Sequence, residues 1–352
     1  MKKAMKNSPL RVCSLFSGCG GMDLGFALEG FKIVWANDNN HWACETYRKN
    51  FDEMVVEADI ADLDLSQIPD CEVMLGGFPC QDFSMISSIW NVKQPGLNTE
   101  RGNLYKHFAR AVLLKKPKVF VAENVKGLLT ANNGKAIKTI RTDFQKSGYR
   151  IHLDQYDFAD YGVPQHRTRV LMVGVRKDIQ YGFVPPEPLY GPGRKYPYVT
   201  AGEALKGVEN VPHNNEKLKV KKRTSELLKL IPEGGNFQSV PEDSEYYVRG
   251  YVSHVYRRLD RNKPAYTVIA AGGGGTWGYH FEEPRPLTNR ERARLQTFPD
   301  DFVFCGDISE VRRQIGNAVP PKGIRLFAKV LKSILLDDEQ YAQAQLTRFA
   351  ET

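Results

Sequence analysis

The sequence predicts an α/β protein, a mostly parallel sheet covered by helices on both faces, with a smaller loop-rich second domain. Three observations carry this expectation. Short apolar runs alternate with longer amphipathic stretches through the first half of the 352 residues. The proline- and glycine-rich stretch VPPEPLYGPGRKYP then breaks that alternation from about Pro185. Helical periodicity returns only after about Pro286.

Taken in order, RVCSLF (11–16), KIVWAND (32–38), EVMLGG (72–77), KVFVAEN (118–124) and RVLMVGV (169–175) have the continuous apolar character of buried strands, and another strand is expected to end at Asp59. Between them, 21–30, 40–50, 102–115 and 134–147 have helical spacing. Past Pro185, short β-like pieces such as AYTVIAA (265–271) and the run Gly272 to Gly275 suggest the small domain. LTNRERARLQT (287–297) is helical again, and 322–336 places Ile324, Phe327, Leu331 and Ile334 on one face, as a helix packing back onto the large domain would. The resulting division is 1–184, 185–284 and 285–352, with the last segment forming the edge of the second domain and then returning to the first.

Composition excludes several classes. No run approaches the roughly 18 apolar residues of a membrane span, and the basic start lacks a signal-peptide core, so a soluble cytoplasmic protein is expected. Six cysteines at no C-x-x-C spacing and seven histidines with no ligand pair indicate neither a disulfide framework nor a metal site. The net charge of +8 favours a polyanionic partner. The charge concentrates in KLKVKKR (217–223), Arg249, Arg257, Arg258, Arg261 and Lys263, among Tyr246, Tyr247, Tyr251 and Tyr256, although the lysine run alone reads as a solvated loop.

In such sheets ligands sit at the carboxyl ends of strands, and the chemistry-bearing residues fall there. Phe16-Ser17-Gly18-Cys19-Gly20-Gly21 joins the first strand to a helix, but Asp23 stands where a dinucleotide fingerprint needs its third glycine. Asp38 ends the second strand, a position suited to a ribose, so a nucleoside cofactor fits, with NAD still open at this point. Cys80, in GGFPCQDFS (76–84), follows a strand in a polar loop where a thiol is accessible and ionisable, unlike Cys13, Cys44 or Cys71. Glu123, at the end of the next strand, shares its rim and suits a general acid. Arg167 and Arg169 in QHRTR carry a planar fork suited to a base carbonyl or phosphate; taken singly, each is equally consistent with structural ion pairing.

The ordered set FSGCGG, GGFPCQDFS, RGNL (101–104), ENV (123–125), QHRTR (165–169), RPLTNRERARLQTFP (285–299) and QIGNAVPP (314–321) closely resembles the bacterial DNA cytosine-5 methyltransferases of restriction-modification type. The resemblance spares only about 185–265, which in that family is the target-recognition region. It implies a Rossmann-like S-adenosylmethionine-dependent sheet, with Phe16, Gly18 and Gly20 lining the cofactor site, Asp38 on the ribose and Asp59 on the adenine amine. Leu104 and Asn317 would complete that pocket. Cys19 and Asn39 depart from the common pattern. The implied reaction adds the Cys80 thiolate to carbon 6 of a flipped-out cytosine in a specific duplex site, with Glu123 on ring nitrogen 3 and the amine and Arg169 on the carbonyl. A monomer is expected, with a cognate endonuclease acting separately if one exists. The rival readings are an RNA cytosine-5 methyltransferase, told apart by offering tRNA and duplex DNA, and a catalytically silent DNA-binding protein, which would lack cofactor affinity.

Overall fold

The computed structural model describes residues 8–51, 54–78, 104–249, 255–270 and 278–337. Among them seven strands form one sheet: β1 (Arg11–Leu15), β2 (Lys32–Asp38), β3 (Val55–Glu57), β4 (Val73–Gly76), β5 (Val119–Val125), β6 (Tyr149–Asp157) and β7 (Thr168–Arg176), in the order β3-β2-β1-β4-β5-β7-β6. The pairings from β3 through to β5 are parallel, and β7 runs antiparallel to both of its neighbours. Strand order reverses between β1 and β4, where sheets of this kind open a crevice.

Successive residues of a strand face opposite sides, so each strand feeds two cores. One face carries Val12, Ile33, Val73, Val121 and Leu171 against Phe26 of α1 (Gly21–Ala27) and Phe327 and Leu331 near the C-terminus. The other carries Cys13, Leu15, Met74, Phe120 and Ala122. It packs on Phe108 and Val112 of α3 (Leu104–Lys115) and on Ile140 and Phe144 of α5 (Lys135–Lys146). Between them in sequence, α2 (His41–Phe51) follows β2 and the short α4 (Gly127–Thr130) follows β5.

The smaller lobe contains α6 (Ala201–Leu205), α7 (Lys222–Leu230), α8 (Asn289–Leu295) and α9 (Ile308–Asn317). Its core joins Ala201 and Leu205, Leu259 and Val268, and Leu287, Ala293, Phe302, Val311 and Ile315. Residues 287–318 therefore pack with 201–268, and α10 (Pro321–Leu335) alone returns to the sheet. Its return depends on missing side chains in α1. A Cβ on Gly25 would stand 2.3 Å from Ile324 Cγ2, and one on Gly21 2.5 Å from the Val319 carbonyl.

The structure corrects one expectation and adds one strand. AYTVIAA forms no ladder in its described part, 265–270: Ala265 makes an isolated bridge to Gln165, and Gly316 packs against Ala270 so closely that a Cβ would lie 2.2 Å from its nitrogen. Ala271 and Gly272 to Gly275 lie outside the described residues. The stretch after Pro185 is tied to the chain just past β6: Tyr161 Oη donates to Pro186 O and Tyr190 N to Asp160 O. Strand β6 itself, YRIHLDQYD, was absent from the expected set; it is an edge strand with partly exposed positions on both faces, so its sequence is neither continuously apolar nor cleanly alternating. No described helix is long and apolar enough to cross a membrane.

Candidate active site

The turn after β1 is built from three left-handed residues, Phe16 (φ 55°), Gly18 (φ 54°) and Gly20 (φ 87°). Open space surrounds Gly18 where a Cβ would stand, so a ligand can lie directly on its backbone. Gly20 has a different reason to be glycine: a Cβ there would meet the Phe51 ring at 2.4 Å. It caps α1 and lets α2 approach, rather than lining the cavity.

Asp38 ends β2 and accepts from Gly18 N (2.8 Å) and Asn40 N (2.9 Å), so its carboxylate also braces the glycine turn. Burial raises its pKa, opposed by those backbone donors and by the charge of Arg313. Asn37 donates to the carbonyls of Val56 and Ala58, both at 2.9 Å, fixing the stretch that delivers Asp59. Phe16, Gly18, Asp38, Asp59, Leu104 and Asn317 all line one cavity of about 790 Å³, and Glu123, Arg167 and Arg169 line it too.

Glu123, only 9% exposed, pairs with Arg169 (Nε to Oε1 3.0 Å). Burial raises the Glu123 pKa, while the charges of Arg169 and Arg167 oppose the rise. Burial thus favours the protonated form of this carboxyl, the direction a general acid needs. The antiparallel course of β7 explains why its partner comes from the start of a strand: Val125 is paired with Arg169, so β7 begins at the rim where β5 ends.

Arg167 occupies another position. It is wholly buried, donating Nη1 to Val268 O (3.0 Å) and Nη2 to Gly316 O (2.9 Å). Burial pushes its pKa well down, Arg169 adds to this, and Glu123 opposes it. The guanidinium clasps the small lobe and the end of α9 to the start of β7. Of the two arginines expected at the base carbonyl, only Arg169 has its guanidinium against Glu123.

Cys80 lies outside the described residues, as do Arg101 to Asn103 of the RGNL run. The chain leading to Cys80 is fixed: Asn124 donates to Phe78 O at 2.9 Å, and Gly77 lies beside Glu123, whose Oε2 would be 3.8 Å from a Cβ there. Asn124 is a site residue that the sequence reading passed over, although it is the middle letter of the ENV run. Asp23 was also missed, noted only as a failed glycine. It is fully buried, accepts from Ser14 Oγ and Tyr47 Oη, and burial lifts its pKa to about 6. Among the described residues His41, Glu45 and Glu57 could converge on a cation, but Arg48 already donates to both carboxylates, at 2.7 and 3.0 Å.

A glycine turn with open space on its backbone, a strand-end carboxylate and a second carboxylate along the same wall define an α/β enzyme that holds a nucleoside-bearing cofactor. The family model for C-5 cytosine-specific DNA methylase matches residues 10–333. The type II methyltransferase M.NgoFVII of Neisseria gonorrhoeae is 59% identical over 337 residues, covering 94% of this chain and 88% of its own. M.BbvI of Brevibacillus brevis is 42% identical over 350 residues, covering 92% of this chain and 91% of its own. Among solved structures, a prophage-encoded DNA modification methyltransferase from E. coli shares the fold at TM-score 0.66 and 26% identity, covering 93% of this chain and 99% of that one. The chain belongs to the C-5 cytosine-specific DNA methylase family, whose members are DNA (cytosine-5-)-methyltransferases that take their methyl group from S-adenosylmethionine and work through a covalent cysteine adduct.

Proposed function

We propose that this chain methylates carbon 5 of one cytosine within a specific duplex DNA site, with Cys80 as nucleophile, Glu123 as acid and Arg169 as the carbonyl-binding group. The observation that carries this reading is the buried Glu123–Arg169 pair, set in the same cavity as the glycine turn. Carbon 5 of cytosine is a weak nucleophile until a thiolate adds at carbon 6. Glu123, held protonatable by burial, donates to ring nitrogen 3 as negative charge gathers there, and Arg169 fixes both the carboxyl and the carbonyl at carbon 2. When bound, S-adenosylmethionine supplies the electrophilic methyl. Phe16, Gly18, Asp38, Asp59, Leu104 and Asn317 are the residues to hold it; the room over the Gly18 backbone and the acids at the ends of β2 and β3 fit an adenosine.

Arg167 takes a positioning role in this scheme, and Gly20 shapes the turn. Residues 185–284 form the region that reads the target, since the catalytic motifs lie outside them. A monomer acting in the cytoplasm, with a cognate endonuclease working as a separate protein, suits the type II enzymes it resembles. The target base is flipped out of the stack at a cost of about a few kcal/mol.

The test is a trap. With S-adenosylmethionine present, and only then, duplex DNA with 5-fluorocytosine at the target position should form an adduct that survives denaturing electrophoresis, because after methyl transfer fluorine does not leave as a proton does. Cys80→Ser should abolish it. An adduct mapped to another residue would overturn the assignment.

A further inference from the structure

The bases concentrated between 217 and 263 do not all have the same freedom. Lys217 is paired with Glu283, Arg261 with Glu233, and Lys263 with Asp260. Arg258 is buried and donates to the carbonyls of Leu228, Ile231, His280 and Phe281, which makes it part of the lobe's frame. Arg223 donates to Glu245 O. Lys219, Lys221, Lys222 and Arg249 are exposed, and among the described residues none lies over an aromatic ring.

Arg223 lies over the Tyr246 ring at 5.8 Å and Arg261 over the Phe281 ring at 4.9 Å, but both guanidinium groups are already engaged, by Glu245 O and by Glu233, whereas Arg257 stacks more closely. Its guanidinium carbon lies 3.5 Å from the centroid of the Tyr266 ring. Its Nε is buried with no hydrogen-bond partner among the described residues, while Nη1 and Nη2 are not among the buried unpartnered atoms. The platform is rigid on both sides. Arg257 O accepts from Tyr279 N (3.1 Å), and Arg258 N donates to Gly235 O (2.9 Å). Beneath it, Ala265 exchanges backbone bonds with Pro164 and His166, and Thr267 Oγ1 donates to His166 O at 2.7 Å. Tyr266 is thus held on the loop that runs into Arg167 and Arg169. Four residues from Gln165 to Arg169 span at most roughly 14 Å, so the backbone that carries Tyr266 is bonded to a stretch that ends at the base pocket.

We infer that Arg257 is a specificity-determining residue that reads a guanine of the target site through its two Nη atoms. This rests on the function proposed above and names one contact within it. A guanidinium stacked on a ring has its plane fixed before DNA arrives, and its end presents two parallel donors. Guanine offers the matching pair of acceptors, O6 and N7, in the major groove. A phosphate contact needs charge but no fixed plane, and the exposed lysines of 219–222 meet that need.

The experiment first maps 5-methylcytosine in DNA from a methylation-free host expressing the wild-type chain, which gives the site. Absence of any 5-methylcytosine would count against the proposed function itself. Oligonucleotides with 7-deazaguanine at each guanine of the site in turn are then assayed. One position should lose roughly 5- to 150-fold in kcat/KM with the wild-type chain. Arg257→Ala and Tyr266→Ala should be insensitive to 7-deazaguanine at that position and accept other base pairs there, with S-adenosylmethionine affinity unchanged. A uniform loss across all positions, with the salt slope of binding reduced by about one, would make Arg257 a phosphate contact and overturn the inference. So would a wild-type scan in which no guanine depends on N7, a result that holds even if the variants fail to fold.

Discussion

Replacing Arg167 by Met tests whether this arginine clasps the lobes or serves the chemistry directly. The side chain is wholly buried and makes two charge-assisted bonds, to Val268 O and Gly316 O. Each bond to a charged group contributes about 1.5–3 kcal/mol, and each carbonyl left unpaired in the interior costs about 1–3 kcal/mol. Against this, Met removes a buried charge whose desolvation is itself worth several kcal/mol, as the depressed Arg167 pKa reflects. Met fills most of the volume, so the balance is a net loss of about 2–4 kcal/mol. Urea unfolding should show it as a lower midpoint at unchanged slope. Calorimetry on the folded variant should show S-adenosylmethionine binding weakened about tenfold or more, because Gly316 precedes Asn317 on the cavity wall. Arg167→Lys, whose ammonium is a compact point charge without the fork, should fall between. A variant as stable as the wild type with intact cofactor affinity, but with methyl transfer abolished, would refute the clasp and return Arg167 to the reacting groups.

Glu123→Gln should lower kcat by about 100-fold or more while duplex binding changes only a few-fold; equal losses in both would make Glu123 a binding residue. Asp23 ties stability to pH. Its folded pKa of about 6 lies above the ordinary 3.8, so its contribution is full below the lower value and disappears as pH rises through about 6, amounting to about 3 kcal/mol. Asp23→Asn should remove that part of the difference between urea midpoints at pH 4 and pH 7.5, and a pH dependence identical to the wild type would exclude Asp23 as its source. Gly25→Ala should cost about 1–3 kcal/mol through overpacking against Ile324 and weaken S-adenosylmethionine binding, since α10 holds the chain just after Asn317; intact calorimetric affinity would show that the seat of α10 is not what positions Asn317.

Much of this was legible in the sequence, for physical reasons that can be named. Strands β1, β4 and β5 are buried almost throughout and β2 is largely covered, so their apolar runs are continuous. The exposed edge strand β6 carries no such signal, and neither does the direction of β7. That Asp38, Asp59 and Glu123 line one cavity was legible because parallel strands deliver their ends to one rim. The separate surroundings of Arg167 and Arg169 were not legible: one stands just before β7 and the other within it, two positions apart, and such residues look alike until their neighbours are known. Nor was the stacking of Arg257 on Tyr266, a contact between positions nine apart in a segment without periodicity.

The reversed course of β7 also decides how the rest of the chain must travel. Because β7 starts at the catalytic rim, it finishes at the opposite end of the sheet, where Lys177 N bonds to Gly148 O. The chain then returns toward the rim, about 30 Å away along a nine-residue strand. Residues 177–190 cover that distance as an extended strap along β6. Arg150 donates to the carbonyls of Ile179 and Tyr181 near its start, Phe183 packs on the core, and Tyr190 bonds to Asp160 at its end. Its prolines resist both helix and ladder, which suits a segment whose task is to span a distance. The strap fixes the chain beside the rim at Tyr190, before α6 begins, so the stretch from residue 200 to α8 starts from a point set by the sheet and not by its own length.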